Sequence, residues 1–471
     1  MCLHVPLVES TSPGRTRGTA TVAQTDTGES FLRVRAVYER LTHSLFALPA
    51  LFVLAAAVSA ELLIWIDRWT DAPDVLESTV DNARALLATI AGGTITVAAV
   101  VFSLTLVAVQ LSSSQYSPRT LDTFLGDRFQ QVVFGLVLGT FTYSLLVLRV
   151  VEAPRDGEPF VPGLSVAFAT VLGIASLFAV IASINHTAKS LRVASLTSRI
   201  TAQTIEIIRR RFGEEVAPAQ LQSAGTIPRE IDDPLPDHAV VFGSPARGWV
   251  QQISGRALLD AVPAGSTVHV VAMVGDYLQR GQPVAYVAPP PSDLDDLLDE
   301  LEGAMVVGPH RTLQEDVAFG IRLLVDIAVR ALSPGVNDPH TAEEVLPRIG
   351  AILTELAVRD ISSPRVTDGA SALVRRRELS HRDYIALGIE PVRRHARSDP
   401  QVTAAVLVTL GNVRDEARRR HPAAHVDGVL EQAEILLSEL HLMATDADRA
   451  IVHRAAEATG FGWDTGPKEP A

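Results

Sequence analysis

Four apolar blocks, residues 45–66, 85–111, 132–151 and 162–184, dominate the chain before residue 190. A helix of about 20 residues crosses a bilayer's hydrocarbon core, where every backbone polar group must be satisfied within the chain. Each block is long enough and apolar enough to be such a helix. Enclosed core helices of a soluble protein can be equally apolar, but four in near succession point to the membrane. The first block ends in ELLIWIDRW, where Trp65 and Trp69 suit an aromatic belt and Glu61 lies near the interface.

Flanking charge sets the orientation. Arg33, Arg35 and Arg40 precede the first span, and Lys189, Arg192 and Arg199 follow the fourth. The loop over 67–82 opposes Asp67, Asp71, Asp74, Glu77 and Asp81 to Arg68 alone. The positive-inside rule then predicts cytoplasmic N and C termini, with the segment between spans two and three also cytoplasmic. Residues 1–30 are polar and rich in Gly, Ser and Thr; they read as a disordered tail without a signal-peptide core.

Composition narrows the partners. With 47% hydrophobic residues and a formal charge of −13, the expected surroundings are a lipid bilayer, and no nucleic acid. Cys2 is the single cysteine, which excludes an internal disulfide, a cysteine-based zinc site and a CxxC redox pair. Lys189 and Lys468 are the only lysines, so arginine carries nearly all the basic charge.

Span two is the most informative of the four. Thr89, Gly93, Thr96, Ser103 and Gln110 fall on one helical face. Two readings stand: a surface of small residues for close helix packing, or a neutral polar lining for a conduction path. Gly135 and Gly139 in span three form a small-xxx-small packing pair. The span centres carry no acid or base, so a proton relay or voltage sensor has little to work with.

Beyond the membrane the pattern predicts a connecting helix over 191–213, a Pro- and acid-rich linker over 214–237 and a β-rich subdomain over 238–290. A helical subdomain over 291–460 and a tail over 461–471 complete the chain. In the connecting helix Val193, Leu196, Ile200, Gln203 and Ile207 form a heptad-like stripe, which fits either packing on its own domain or a stalk where subunits of a homo-oligomer meet. VGDYLQRGQPVAYV resembles the turn of a biotinyl/lipoyl-type barrel over one hairpin, but no nearby lysine can carry a cofactor. SDLDDLLDELEGA begins an acidic, solvated helix without calcium-loop spacing. The expected fold is therefore a membrane all-α bundle of four transmembrane helices plus a cytoplasmic α+β domain, with a small β barrel or sandwich and a helical C-terminal part.

The stretch RALSPGVNDPHTAEEV joins two helices. The first is apolar almost all round, and its charges Glu315, Arg322, Asp326 and Arg330 should be partnered. Pro334 and Gly335 end it, and Asp338 caps the second, with Pro339 at its first position. One reading is a helix corner and nothing more. The other is a site in which Ser333, Asn337, Asp338 and His340 meet Arg311, Thr312 and Asp316, beside Asp326 and Arg330, to bind a small polar or anionic ligand. His421 and His425 are four apart without a third ligand, so no metal is expected. The sequence contains no P-loop, GxGxxG, GxSxG or HExxH, and no catalytic residue or cofactor is assigned.

FSLTLVAVQLSSSQYSPR, GTFTYSLLVLR and RTLQEDVAFGIRLLVDIAVRALSPGVNDPHTA, in that order, resemble the bacterial membrane proteins grouped as domain of unknown function 2254. The resemblance runs from the first span into the terminal helices. It implies a bacterial inner-membrane protein and brings no activity or site residue with it. Two functions fit the residues: an ion or small-solute channel or transporter regulated by its cytoplasmic domain, or a membrane-anchored sensor or scaffold. An enzyme is not expected.

Overall fold

The computed structural model describes residues 47–69, 79–115, 128–151, 160–190, 192–212, 239–289, 303–361, 365–367, 371–375 and 379–461. The expected N-terminal tail, Arg33, Arg35 and Arg40, most of the acidic loop after span one and most of the segment between spans two and three lie outside these residues. So do the linker over 214–237, nearly all of the acidic helix over 292–304 and the last ten residues. The chain forms two compact units that meet between Leu196 and Thr197.

The first unit holds α1 (Ala47–Trp69), α2 (Val80–Gln115), α3 (Arg128–Val150) and α4 (Gly163–Ser190). All four are long and apolar enough to cross a membrane. Helix α3 is the central one: it packs on each of the other three, and half of its most apolar window is buried. Its glycines explain how it sits there. A Cβ on Gly139 would lie 3.3 Å from the backbone oxygen of Phe52, and one on Gly135 would strike the Phe52 ring. Close approach of α1 and α3 therefore depends on the small-xxx-small pair.

The helix ends are tied across the unit. Asp67, 9% exposed at the end of α1, accepts hydrogen bonds from the backbone N–H groups of Leu164 and Ser165, both at 3.0 Å. The Ser165 hydroxyl adds a third at 2.6 Å. Asp67, expected as one of several loop acids, is thus an anion on the N terminus of α4, where dipole and free N–H groups favour it. Tyr143 Oη donates to Ser165 O at 3.1 Å. Arg84 caps the C-terminal end of α3, donating to Val151 O from Nε at 3.0 Å and Nη2 at 2.7 Å. Arg149, in the last turn of α3, pairs with Glu61 at 3.0 Å. Inside, Thr140 and Ser176 share a hydrogen bond of 2.8 Å, while Gln130 donates to Thr105 and accepts from Ser183, both at 2.8 Å.

The second unit begins with the rest of α5 (Val193–Phe212). Its strands are β1 (Val240–Gly243), β2 (Gly248–Ile253), β3 (Thr267–Val270), β4 (Tyr277–Leu278), β5 (Pro283–Ala288), β6 (Met305–Gly308), β7 (Arg365–Thr367) and β8 (Ala372–Arg375), with the short helix α6 (Gly255–Ala261) between β2 and β3. One sheet has the order β1-β5-β3-β8-β7 and the other β4-β2-β6. Only the β3–β8 pairing in the five-stranded sheet is parallel. Both sheets feed one core that includes Phe242, Val250, Leu258, Val268, Val287, Met305 and Leu373. The strand-rich part therefore reaches past residue 290 and borrows β6, β7 and β8 from the segment expected to be helical.

The helical part comprises α7 (Val317–Ala331), α8 (Pro339–Ala357), α9 (His381–His395), α10 (Pro400–Arg420), α11 (Asp427–Ser438) and α12 (Asp446–Thr459). Ile321, Leu323, Leu324, Val325, Ile327 and Ala328 are all buried, so α7 is enclosed on most sides as its composition predicts. Asp399-Pro400 and Thr445–Asp448 read in the sequence as helix starts, and both caps form: Asp399 accepts from Gln401 N and Val402 N at 3.0 Å, and Thr445 from Asp448 N at 3.1 Å.

The glycine contacts generate a paired test. Gly139→Val is expected to lower stability in detergent by about 1–3 kcal/mol through overpacking against Phe52. Gly93→Val, where an added Cβ meets nothing within 4 Å, should leave the melting midpoint of the protomer unchanged. Equal midpoints for the two variants would contradict this packing.

Candidate functional site

The polar corner after α7 closes on itself. Ser333 Oγ donates to Arg330 O at 2.6 Å, and Asn337 N to Ser333 O at 2.9 Å with Asn337 at φ 48°. Asp338 N donates to Ala331 O at 2.8 Å. The Asp338 carboxylate accepts from Thr341 N at 3.2 Å and Thr341 Oγ1 at 2.6 Å, and the hydroxyl bond is the main reason its pKa is lowered. His340 is largely exposed and meets Glu343 at 3.3 Å. These contacts are the chemistry of a helix start and the turn before it.

Arg311, Thr312 and Asp316 stand at the other end of α7. That helix has 15 residues, so about 22 Å separates them from the corner at 1.5 Å per residue. The structure does not bring the two groups together. Asp316, 2% exposed, caps α7 through Phe319 N at 2.8 Å and takes the Arg311 Nε hydrogen at 2.7 Å. The Arg311 guanidinium also lies 5.7 Å from the Trp249 ring centre and 5.4 Å from that of Phe319. Gly275, at φ +91°, leaves room for this pair, since a Cβ there would collide with both partners. Thr312 Oγ1 is buried with no hydrogen-bond partner among the described residues. Along α7, Arg322, Asp326 and Arg330 are engaged in interactions, and Glu315 accepts from Gln252 at 2.8 Å.

Span two behaves differently. Thr89, Gly93, Thr96, Ser103 and Gln110 are all exposed, on the side of α2 turned away from the other three helices. The three hydroxyls donate to their own helix: Thr89 to Ala85 O at 2.6 Å, Thr96 to Gly92 O at 2.8 Å and Ser103 to Ala99 O at 2.9 Å. What each offers outward is therefore an oxygen acceptor.

A further cluster went unread in the sequence. Helix α5 packs so tightly on α7 that a Cβ on Gly320 would collide with Thr204. Along α5 Leu196, Thr197, Ile200, Thr204, Ile207 and Ile208 are buried; Leu196, Ile200 and Ile207 belong to the expected stripe, whereas Val193 is half-buried and Gln203 faces out. Its last turn carries three arginines. Arg209 Nε donates to Glu355 at 2.8 Å, Arg210 to Gln314 O, and Arg211 to Glu315 O at 3.0 Å. Next to Arg359, His381 stacks on His425 with ring centres 4.0 Å apart and donates from Nε2 to Arg359 O at 2.9 Å. Burial, and then the nearby His425, push the His381 pKa down to about 4; burial also lowers that of His425, against the pull of Asp360 and Asp427.

The family described as "Predicted membrane protein (DUF2254)" matches residues 42–412. Uncharacterized protein Rv1290c of Mycobacterium tuberculosis and uncharacterized protein Mb1321c of Mycobacterium bovis are each 30% identical over 390 residues, covering 81% of this chain and 73% of their own. No solved structure matches the chain.

Two expectations follow. Asp316→Asn should destabilise by about 3 kcal/mol or more, because it leaves the Arg311 charge partly buried without its carboxylate. Asp338→Asn should cost little, since Asn caps as well as Asp, while Asp338→Ala costs about 1 kcal/mol. Thermal melts of the three variants check the order, and an Asp338→Asn as damaging as Asp316→Asn would reverse it. The histidines add a pH dependence. His381 titrates near 6.5 when unfolded and about 4 when folded, so the unfolded chain binds more protons in between. Stability should thus decline as pH falls from about 6.5 to about 4, by on the order of 3 kcal/mol. His381→Phe should flatten that part of the melting profile, and an unchanged profile would count against it.

Proposed function

The chain belongs to the DUF2254 family of predicted membrane proteins, and from that premise we propose that it conducts an ion or small solute through an oligomer of this chain, along the outward face of α2. We further propose an inner-membrane location with both termini cytoplasmic, on the strength of Lys189, Arg192 and Arg199 after α4 and Arg33, Arg35 and Arg40 before α1. No enzymatic activity is part of this reading. For the strand-rich part we keep a small barrel or sandwich, supported by the core that its two sheets share.

One observation carries the conduction reading. Thr89, Thr96, Ser103 and Gln110 recur every seventh residue on an exposed face, about 10.5 Å apart along the helix. Around an oligomer axis they would form successive rings of uncharged oxygen groups with no ionised side chain between them. Neutral oxygen rings replace water around a permeating solute without trapping it. Glycines 92 and 93, with open space beside them, leave the face narrow enough for a second helix to approach.

Purified protein in liposomes tests this directly. Flux of small ions or solutes is expected, and Thr96→Leu or Ser103→Leu should reduce it at least tenfold without moving the melting midpoint, since both sites are exposed in the protomer. Absence of flux across a broad panel would overturn the proposal in favour of a membrane-anchored sensor or scaffold.

A further inference from the structure

Glu61 of α1 and Arg149 of α3 form an ion pair at 3.0 Å, with 61% and 67% of their side chains exposed on the surface of the membrane unit. At 1.5 Å per residue, Glu61 lies about 6 Å before Trp65 and about 12 Å before Trp69 along α1. Indole rings mark the level of the bilayer interface, so the carboxylate sits on its hydrocarbon side. Arg149 is one residue from the end of α3, and its side chain is long enough to reach headgroups and water from there. It turns back along its helix to Glu61 instead, as the Cα–Cβ direction of a helix favours. One turn earlier on each helix, the exposed Val58 and Leu145 are apolar, and so is Leu62 next to Glu61.

The pair is neutral but far from satisfied. A single hydrogen bond, from Arg149 Nη2 to Glu61 Oε1, joins the two. A guanidinium has five N–H donors and a carboxylate two oxygens, so four donors and Oε2 are left over. Lipid tails offer them nothing, and charged groups inside a membrane face protein or water. A covering partner must supply an acceptor for Arg149 and a donor for Glu61, side by side at this depth. A second copy of the chain does so by construction. It inserts with the same topology, which puts its own Glu61 and Arg149 at the same level. A two-fold axis along the membrane normal then brings each acid opposite the other copy's base. A lipid phosphate, by contrast, would meet a pair that is already neutral.

We propose that the face of α1 and α3 around Glu61 and Arg149 is a contact between two copies of this chain. Each Glu61 keeps the hydrogen bond from its own Arg149 and takes another from the other copy's Arg149. The four charges alternate in sign around the axis, so the contact is self-complementary. This face shares no residue with the outward face of α2, and it stands or falls apart from the conduction reading.

Exchange of charge between copies tests the contact. Full-length chains with two different affinity tags are co-expressed and solubilised in mild detergent, and co-purification is measured. Parent copies are expected to co-purify. Glu61→Arg paired with itself, and Arg149→Glu paired with itself, should lose that association, because like charges then face each other across the axis. Glu61→Arg co-expressed with Arg149→Glu should regain it, since one copy carries two bases and the other two acids. An ion pair confined to one chain is not repaired in this way. No association of parent copies would overturn the proposal. Association that survives both single changes would also overturn it and place the contact on another face, such as that of α2. A mixed pair that associates no better than the variants with themselves counts equally against it. If the charge variants do not fold, crosslinking decides. Cys2 is the only cysteine, so Leu62→Cys and Ile181→Cys are each made in a Cys2→Ser chain and treated in membranes with a short bis-maleimide. Leu62→Cys is expected to give a covalent dimer, and Ile181→Cys, exposed on α4, none. A dimer from neither site, or equally from both, refutes the contact.

Discussion

A helix end that sits where water is scarce must find partners for its last carbonyls and first amides within the protein. The membrane unit meets that demand with a few long-range contacts. Asp67 answers the first amides of α4 and Arg84 answers Val151 O after α3, while Tyr143 adds a hydrogen bond to Ser165 O in the first turn of α4. Each bond joins one helix to the end of another, so satisfying the backbone also fixes which helices are neighbours. The glycine contact between α3 and Phe52 then sets how closely they pack.

Outside the membrane unit the same economy is run with charge. Glu439 takes both Arg393 and Arg397, and Arg414 reaches Asp415, the carbonyl of Thr459 and the ring of Phe461. A planar fork with five donors can serve several partners at once, where an ammonium acts as a single point charge. A chain with two lysines is therefore suited to tying helices that meet at their ends. Glu355 joins α5, α8 and α10 through one carboxylate.

What could be read in advance was local. Span lengths, the enclosed character of α7 and the caps at Asp338, Asp399 and Thr445 each depend on a few consecutive residues. What could not be read depends on partners far along the chain. Arg209 and Glu355 are 146 residues apart, and Asp67 meets Ser165 across 98. The parallel pairing of β3 with β8 joins Thr267 to Ala372, so a segment that looks like a gap between helices completes a sheet. At the polar corner, ligand-type residues close in sequence prove to divide between the two ends of one helix. Spacing gave their identity, and the length of α7 kept them apart.

The hydroxyls of α2 bear on how such a chain enters a bilayer. Thr89, Thr96 and Ser103 each close their donor on a carbonyl one turn earlier in the same helix. Nothing in that arrangement waits for a neighbour. These three hydroxyls can pass into lipid with no unmet donor of their own, so that part of the face costs three oxygen acceptors and not three free hydroxyls. Their hydrogen bonds are complete within one helix and do not depend on any later assembly.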